Sequence, residues 1–167
     1  MILGIVLLLV AAQRIAEVTY AERNTRALRA RGALEVAPEQ HVWFVALHAA
    51  WLLSLWLFVP HDTIPNWWLI GLYAVLQCLR VWVLTALGPF WTTRIITLPD
   101  APLVRRGPYR FMRHPNYAIV IAEIAVLPLA FGAWVIAIVF ELLNVALLMW
   151  RTRAEDAALQ TRRAHEK

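Results

Sequence analysis

The chain has 167 residues, of which 61% are hydrophobic and 16% charged, with a formal net charge of +5. Soluble domains carry about 45–50% apolar and about 25% charged residues, so an ordinary soluble protein and a disordered chain are both excluded. A lone Cys78 excludes a disulfide scaffold. What remains is a small polytopic membrane protein: an all-α helix bundle forming a single domain over 1–167, with no nucleic-acid partner.

Spanning a bilayer as a helix takes about 20 mostly apolar residues. Residues 1–18 form the first and weakest candidate, because Gln13, Arg14 and Glu17 interrupt it. Arg14 and Glu17 are three apart and can pair on one helical face. No Lys or Arg precedes the apolar run, as a cleaved signal peptide would need, so a retained helix is expected. Residues 19–40 read as its helical extension, with Gly32 placed to end it and Pro38 to punctuate the link onward. Within it Glu22 and Arg26 form an i,i+4 pair.

Residues 41–59 and 67–87 are clear spans. Residues 115–150 are nearly all apolar, and at about 1.5 Å per residue they are too long for one crossing. Pro128, Gly132 and Ala133 sit near the middle. The segment therefore reads as a tight hairpin of two helices, 115–130 and 133–150, for five spans in all.

Lys and Arg set the orientation. Outside the spans they follow span one, join spans three and four, or follow span five, while 60–66 and 131–133 carry none. The positive-inside rule then puts the N-terminus outside and the C-terminus in the cytoplasm. The expectation is a multi-pass protein of a bacterial inner membrane. Trp67, Trp68 and Trp134 fall at the outer interface, and Trp43, Trp91 and Trp150 at the inner one, as an aromatic belt requires.

Polar residues inside spans are costly and face a protein interior or a wet cavity. The candidates are His48, Gln77, Arg80, Glu123, Glu141 and Asn144. Counted from the inner ends, His48, Arg80, Glu123 and Glu141 lie roughly 10–14 Å deep. Two readings stand: a structural network neutralising Arg80 with Glu123 or Glu141, or the floor of a cavity open to the cytoplasm. His48 alone reads as a hydrogen-bonded packing residue. No His/Cys/Asp/Glu spacing suggests a metal.

Residues 88–117 (GPFWTTRIITLPDAPLVRRGPYRFMRHPNY) carry the most information. A connection this long in a compact protein is functional or disordered, and its aromatic, β-branched and proline content argues for order. Pro89, Pro99, Pro102, Pro108 and Pro115 limit helix here. Pro115 suits a first helical turn, whose free N–H groups beside Arg105, Arg106, Arg110 and Arg113 suit an anionic group. Binding of lipid phosphates is the plainer alternative. Tyr109 and Tyr117 are placed to stack on or hydrogen-bond a ligand. After span five, Arg151 and Glu155 share one helical face near the membrane surface. No GxGxxG, GxxxxGK[ST], GxSxG or HExxH is present.

The motif GPYRFMRHPNY, the apolar hairpin after it and the Arg-x-x-x-Glu-Asp at 151–156 together resemble the isoprenylcysteine carboxyl methyltransferase family. The likeness runs from Trp91 to Leu159. The first 90 residues, including ERNTRALRARGA, resemble a bacterial branch that methylates polyketide products such as alkylpyrones. The resemblance implies an S-adenosylmethionine-dependent integral membrane methyltransferase with its catalytic core at about 88–160. It implies a cofactor pocket formed by Gly107, Tyr109, Arg113, His114, Tyr117 and Glu155. Arg94 and Arg151 would be the catalytic pair, orienting an acidic oxygen, carboxyl or hydroxyl, on a lipophilic small-molecule substrate entering from the membrane lipids. Two departures stand out: Ala118-Ile119-Val120 lacks the Gly usual after the motif, and the acidic pair is Glu155-Asp156 rather than Glu-Glu. RHPNY is also similar to a segment of membrane sterol reductases, which implies NADPH as the alternative cofactor. A non-enzymatic scaffold or lipid-binding protein is the third reading.

Overall fold

A computed structural model describes residues 1–98 and 104–165, without the side chains of 156–165. The expected stiffening by Pro99 and Pro102 lies outside the described residues, as does the side chain of Asp156. Five helices make up the bundle: α1 (Ile2–Arg29), α2 (Glu39–Phe58), α3 (Trp67–Leu87), α4 (Pro115–Ala130) and α5 (Trp134–His165). α4 packs against α3 and α5, α5 also against α2, and α1 against α2. The central core joins Leu3 and Leu7 of α1, Leu47, Trp51 and Leu55 of α2, and Ile124 and Leu127 of α4. The chain is an all-α integral membrane protein, with four helices long and apolar enough to cross a membrane.

Local chemistry sets the helix ends. At the end of α1 the Ala33 N–H reaches the Leu28 carbonyl and the Gly32 N–H that of Arg29. Gly32 at φ +87° allows this Schellman-type closure. The same pair of bonds closes α4, from Ala133 to Pro128 and from Gly132 to Leu129, with Gly132 at φ +70°. The expected hairpin break is therefore a glycine-ended helix. Asn66 caps α3 by accepting from the N–H groups of Trp68 and Leu69, and its own N–H donates to the Ala130 carbonyl at 2.7 Å. That bond ties the start of α3 to the end of α4.

The fourth expected span is shorter than the others. α4 has 16 residues and α3 has 21, or roughly 24 Å against roughly 31 Å at 1.5 Å per residue. Their shared end is fixed by the Asn66–Ala130 bond, so α4 begins about 7 Å short of the level where α3 ends. This recess opens at the basic end of the bundle.

Two features depart from the expected architecture. The link after α1 contains a strand, β1 (Leu34–Val36), paired antiparallel with β2 (Ile95–Thr97) of the long connection. A three-residue strand leaves too short a period to read. Trp91 is 4% exposed and packs with Ala21, Val83 and Ile119, so it is a core residue and not part of a belt. Trp43, Trp67, Trp68, Trp134 and Trp150 are exposed, as a belt requires.

Candidate active site

The recess is a cavity of about 300 Å³, within the range of small-molecule sites. Its walls come from four places: the first turn of α4, the part of α5 at the basic end, the inner faces of α2 and α3, and residues 90–97 of the long connection. Tyr109, Arg113, His114, Tyr117, Glu155, Arg94 and Arg151 all line it. Thus the expected cofactor and catalytic residues converge, with one exception.

The exception is Gly107. It opens a 3₁₀ turn, Gly107–Arg110, at φ +58°, and a Cβ there would lie 3.0 Å from the Ala86 Cβ on α3. The glycine lets the turn approach α3, which brings Tyr109 to the cavity. The Arg106 guanidinium fastens the same turn by donating to the Ala86 carbonyl at 2.8 Å.

At the mouth, four side chains lock the start of α4 to α5. The Tyr117 hydroxyl donates to Glu155 Oε1 at 2.5 Å. Arg151 Nε donates to the Tyr117 oxygen at 2.8 Å and to Glu155 Oε1 at 3.1 Å. His114 Nδ1 lies 3.4 Å from Glu155 Oε2, and its ring stacks on Tyr117 with centroids 4.9 Å apart. Arg151 Nη1 also holds the Thr93 carbonyl at 2.9 Å, so a single guanidinium joins α4, α5 and the long connection. Burial, reinforced by the Glu155 charge, pushes the Tyr109 phenol well above its ordinary range. It therefore stays protonated and available as a donor at neutral pH.

Arg94 is braced from behind. Its Nη1 contacts Glu35 Oε1 at 2.8 Å and its Nε lies 3.7 Å from Glu22. Glu35 also pairs with Arg29. Asn24 of α1 anchors the same wall by donating to the carbonyls of Gly88 and Trp91. These contacts explain strand β1, whose Glu35 meets the connection edge-on.

The floor is a charge network deeper than any sequence pairing suggested. Arg80 grips Glu17 with Nε and Nη2 at 2.6 and 2.7 Å and reaches Glu123 with Nη1 at 3.0 Å. Arg14 bridges the same carboxylates at 3.0 and 2.7 Å. Gln13 and Gln77 complete the set, bonding to each other at 2.7 Å and to Glu17 and Glu123. Two guanidinium groups face two carboxylates, which is how charge persists at bilayer depth. The expected Arg80–Glu123 pair is present. Glu141 is not part of the network: its oxygens have no hydrogen-bond partner among the described residues. Arg80 directs its bonds to Glu17 and Glu123, so depth counting alone did not separate the carboxylate that meets it from one that does not. α1 supplies the second carboxylate instead. Arg80 and His48 reach the cavity, and Glu17 and Glu123 do not.

The chain matches the isoprenylcysteine carboxyl methyltransferase (ICMT) family over residues 69–161. It belongs to that family. ICMT-family enzymes are membrane methyltransferases that generally use S-adenosylmethionine. The matched segment takes in α3, the long connection, α4 and most of α5, hence nearly every cavity wall; α1, β1 and α2 lie outside it. The chain is also 39% identical over 153 residues to the uncharacterized protein YpbQ of Bacillus subtilis (strain 168), covering 89% of this chain and 90% of that one. No solved structure matches.

The cavity walls suit an ICMT-family cofactor. Three shielded polar atoms there have no hydrogen-bond partner among the described residues: the acceptor Asn116 Oδ1 and the donors Trp91 Nε1 and Arg94 Nε, the last with only the long 3.7 Å approach of Glu22. Unpaired buried polar atoms are costly, and a zwitterionic nucleoside ligand offers complements to both kinds. Asn116 lies inside RHPNY but was not singled out in the sequence, because an amide in a first helical turn looks like ordinary helix chemistry. Among the described residues, no group of three or more His, Cys, Asp and Glu is placed to hold a metal.

Proposed function

We propose that this protein is an S-adenosylmethionine-dependent O-methyltransferase acting on a lipophilic acceptor, isoprenylcysteine-like or alkylpyrone-like, at the cytoplasmic face of a bacterial inner membrane. The observation carrying the reading is the junction of His114, Tyr117, Arg151 and Glu155 beside a cavity with unmet polar atoms. S-adenosylmethionine supplies an electrophilic sulfonium methyl group when bound.

The residues then divide the work. The first turn of α4 offers the Asn116 N–H and partial positive charge for the carboxylate of the cofactor, with Arg113 and His114 beside it; Pro115 has no N–H and that of Tyr117 donates to the His114 carbonyl. Glu155 and Asn116 Oδ1 accept from its amino and hydroxyl groups. Tyr109 and Tyr117 provide aromatic surface. Arg94 and Arg151 orient the acidic oxygen of the acceptor, and their fixed partners keep both guanidiniums in place. Holding two reactants in line is itself a large part of such catalysis. The alternating distribution of Lys and Arg along the chain supports the cytoplasmic orientation of the cavity.

The test is purified protein in detergent with methyl-labelled S-adenosylmethionine and a lipophilic extract of bacterial membranes. Label should pass into the organic phase with the native chain and not with Glu155→Ala. Thermal stabilisation by NADPH instead of S-adenosylmethionine would favour a reductase, and stabilisation by neither would overturn the enzymatic reading.

A further inference from the structure

His48 sits at the inner end of the cavity, nine residues into α2 and so about 13 Å along it. Its Nδ1 lies 2.8 Å from the Phe44 carbonyl oxygen. A carbonyl only accepts, so Nδ1 must carry the proton. In the neutral ring Nε2 is then a bare lone pair. No hydrogen bond to Nε2 occurs among the described residues, and the ring is braced edge-on against the buried Trp51, with centroids 6.4 Å apart.

The surroundings of His48 suit an oxyanion. Arg80 lines the same end of the cavity and uses three of its five N–H groups on Glu17 and Glu123. Arg151 lies over the Phe44 ring, 5.5 Å from its centroid, and Phe44 is one helical turn from His48. Glu155 is the one carboxylate among the described lining residues, and it is committed to Tyr117, Arg151 and His114 at the mouth. His114, the other histidine of the lining, faces Glu155 with its Nδ1. An acceptor with a protonated hydroxyl therefore meets an uncommitted base at His48.

We infer that His48 is a catalytic residue, the general base that takes the hydroxyl proton of an enol or phenol acceptor. The inference rests on the methyltransferase reading above. In the step, the acceptor O–H bond breaks and its proton passes to Nε2. The oxygen forms a bond to the methyl carbon, the sulfur–methyl bond breaks, and its electron pair returns to sulfur, leaving a neutral thioether. Arg80 and Arg151 hold the oxygen while it is anionic. An acceptor carboxyl is already ionised at neutral pH and needs no base, so His48 has work to do only with weakly acidic hydroxyls.

A nitrophenol carrying a dodecyl chain tests this without any methyl transfer, because its absorbance reports ionisation. The full chain in detergent is mixed with the probe about one pH unit below the probe's own ionisation, with no methyl donor present. Bound probe should be mostly phenolate with the native protein. It should stay protonated with His48→Gln and with His48→Asn, whose amide can still donate to the Phe44 carbonyl. Transfer of labelled methyl to the same probe should fall about 10²-fold or more in the His48 variants. Thermal stabilisation by S-adenosylhomocysteine, measured on the native chain and both His48 variants, shows that the fold and donor site are intact. Donor binding with the probe ionised equally in native and His48 variants overturns the role of His48 and leaves the methyltransferase reading standing. Absence of donor binding by the native chain overturns the methyltransferase reading and this inference together.

Discussion

The two ends of the cavity handle charge in opposite ways. At the floor, Arg14, Arg80, Glu17 and Glu123 pair with one another and are almost completely shielded, with Arg14 Nε the guanidinium nitrogen left unbonded among the described residues. At the mouth and along the wall, Arg94, Asn116 and Trp91 keep polar atoms without a hydrogen bond among the described residues, and Arg113 is exposed. A closed set of pairs stabilises the bundle whatever is bound. Unmet groups are tolerated in a folded protein where a ligand completes them. The floor is thus mainly architecture, with His48 and Arg80 as its links to chemistry, and the mouth is mainly recognition.

Breaking the floor should have the largest effect. Arg80→Ala leaves Glu17 and Glu123 facing Arg14 alone, and removing one partner of a buried pair costs about 3–5 kcal/mol. Unfolding in detergent should show that loss, and a drop under about 1 kcal/mol would mean that the network does not hold the helices. Next comes Gly107→Ala, where a left-handed φ and the Ala86 contact coincide. About 1–2 kcal/mol of stability should go, measured in the same assay, with Tyr109 displaced from the cavity.

Asn116→Ala sharpens the contrast. It removes an acceptor that has no partner in the free protein, so stability without ligand should change by less than about 0.5 kcal/mol. Affinity for S-adenosylhomocysteine should nevertheless fall about tenfold, or about 1.4 kcal/mol. Glu22→Gln should matter least. Its contact with Arg94 is 3.7 Å long and partly exposed, and such pairs contribute about 0–1 kcal/mol. A large loss of stability there would show that the outer wall is as tightly sealed as the floor.

Much of this was legible in the sequence because the bilayer imposes long apolar runs, and the charges outside them follow a simple rule. α2, α3 and the α4–α5 hairpin stand where hydropathy and Gly132 placed them. The junction of RHPNY with Arg151 and Glu155 was legible through a motif and a helical spacing. What escaped depends on rotation and distance. Glu17 faces Arg80 across 63 positions of chain, and no periodicity links them. Glu141, counted to the same depth, makes no hydrogen bond among the described residues. Strand β1 is too short to carry a pattern, and the role of Gly107 shows only in its clearance from α3. His48 read as packing because only three-dimensional structure shows which ring nitrogen is free.

The most direct measurement is equilibrium binding of labelled S-adenosylmethionine to the purified chain, alongside His114→Ala and Glu155→Ala. Saturable binding by the native chain, weakened at least about tenfold in both variants, is the predicted result. Equal affinity in all three proteins would contradict a donor seat between the start of α4 and the basic end of α5.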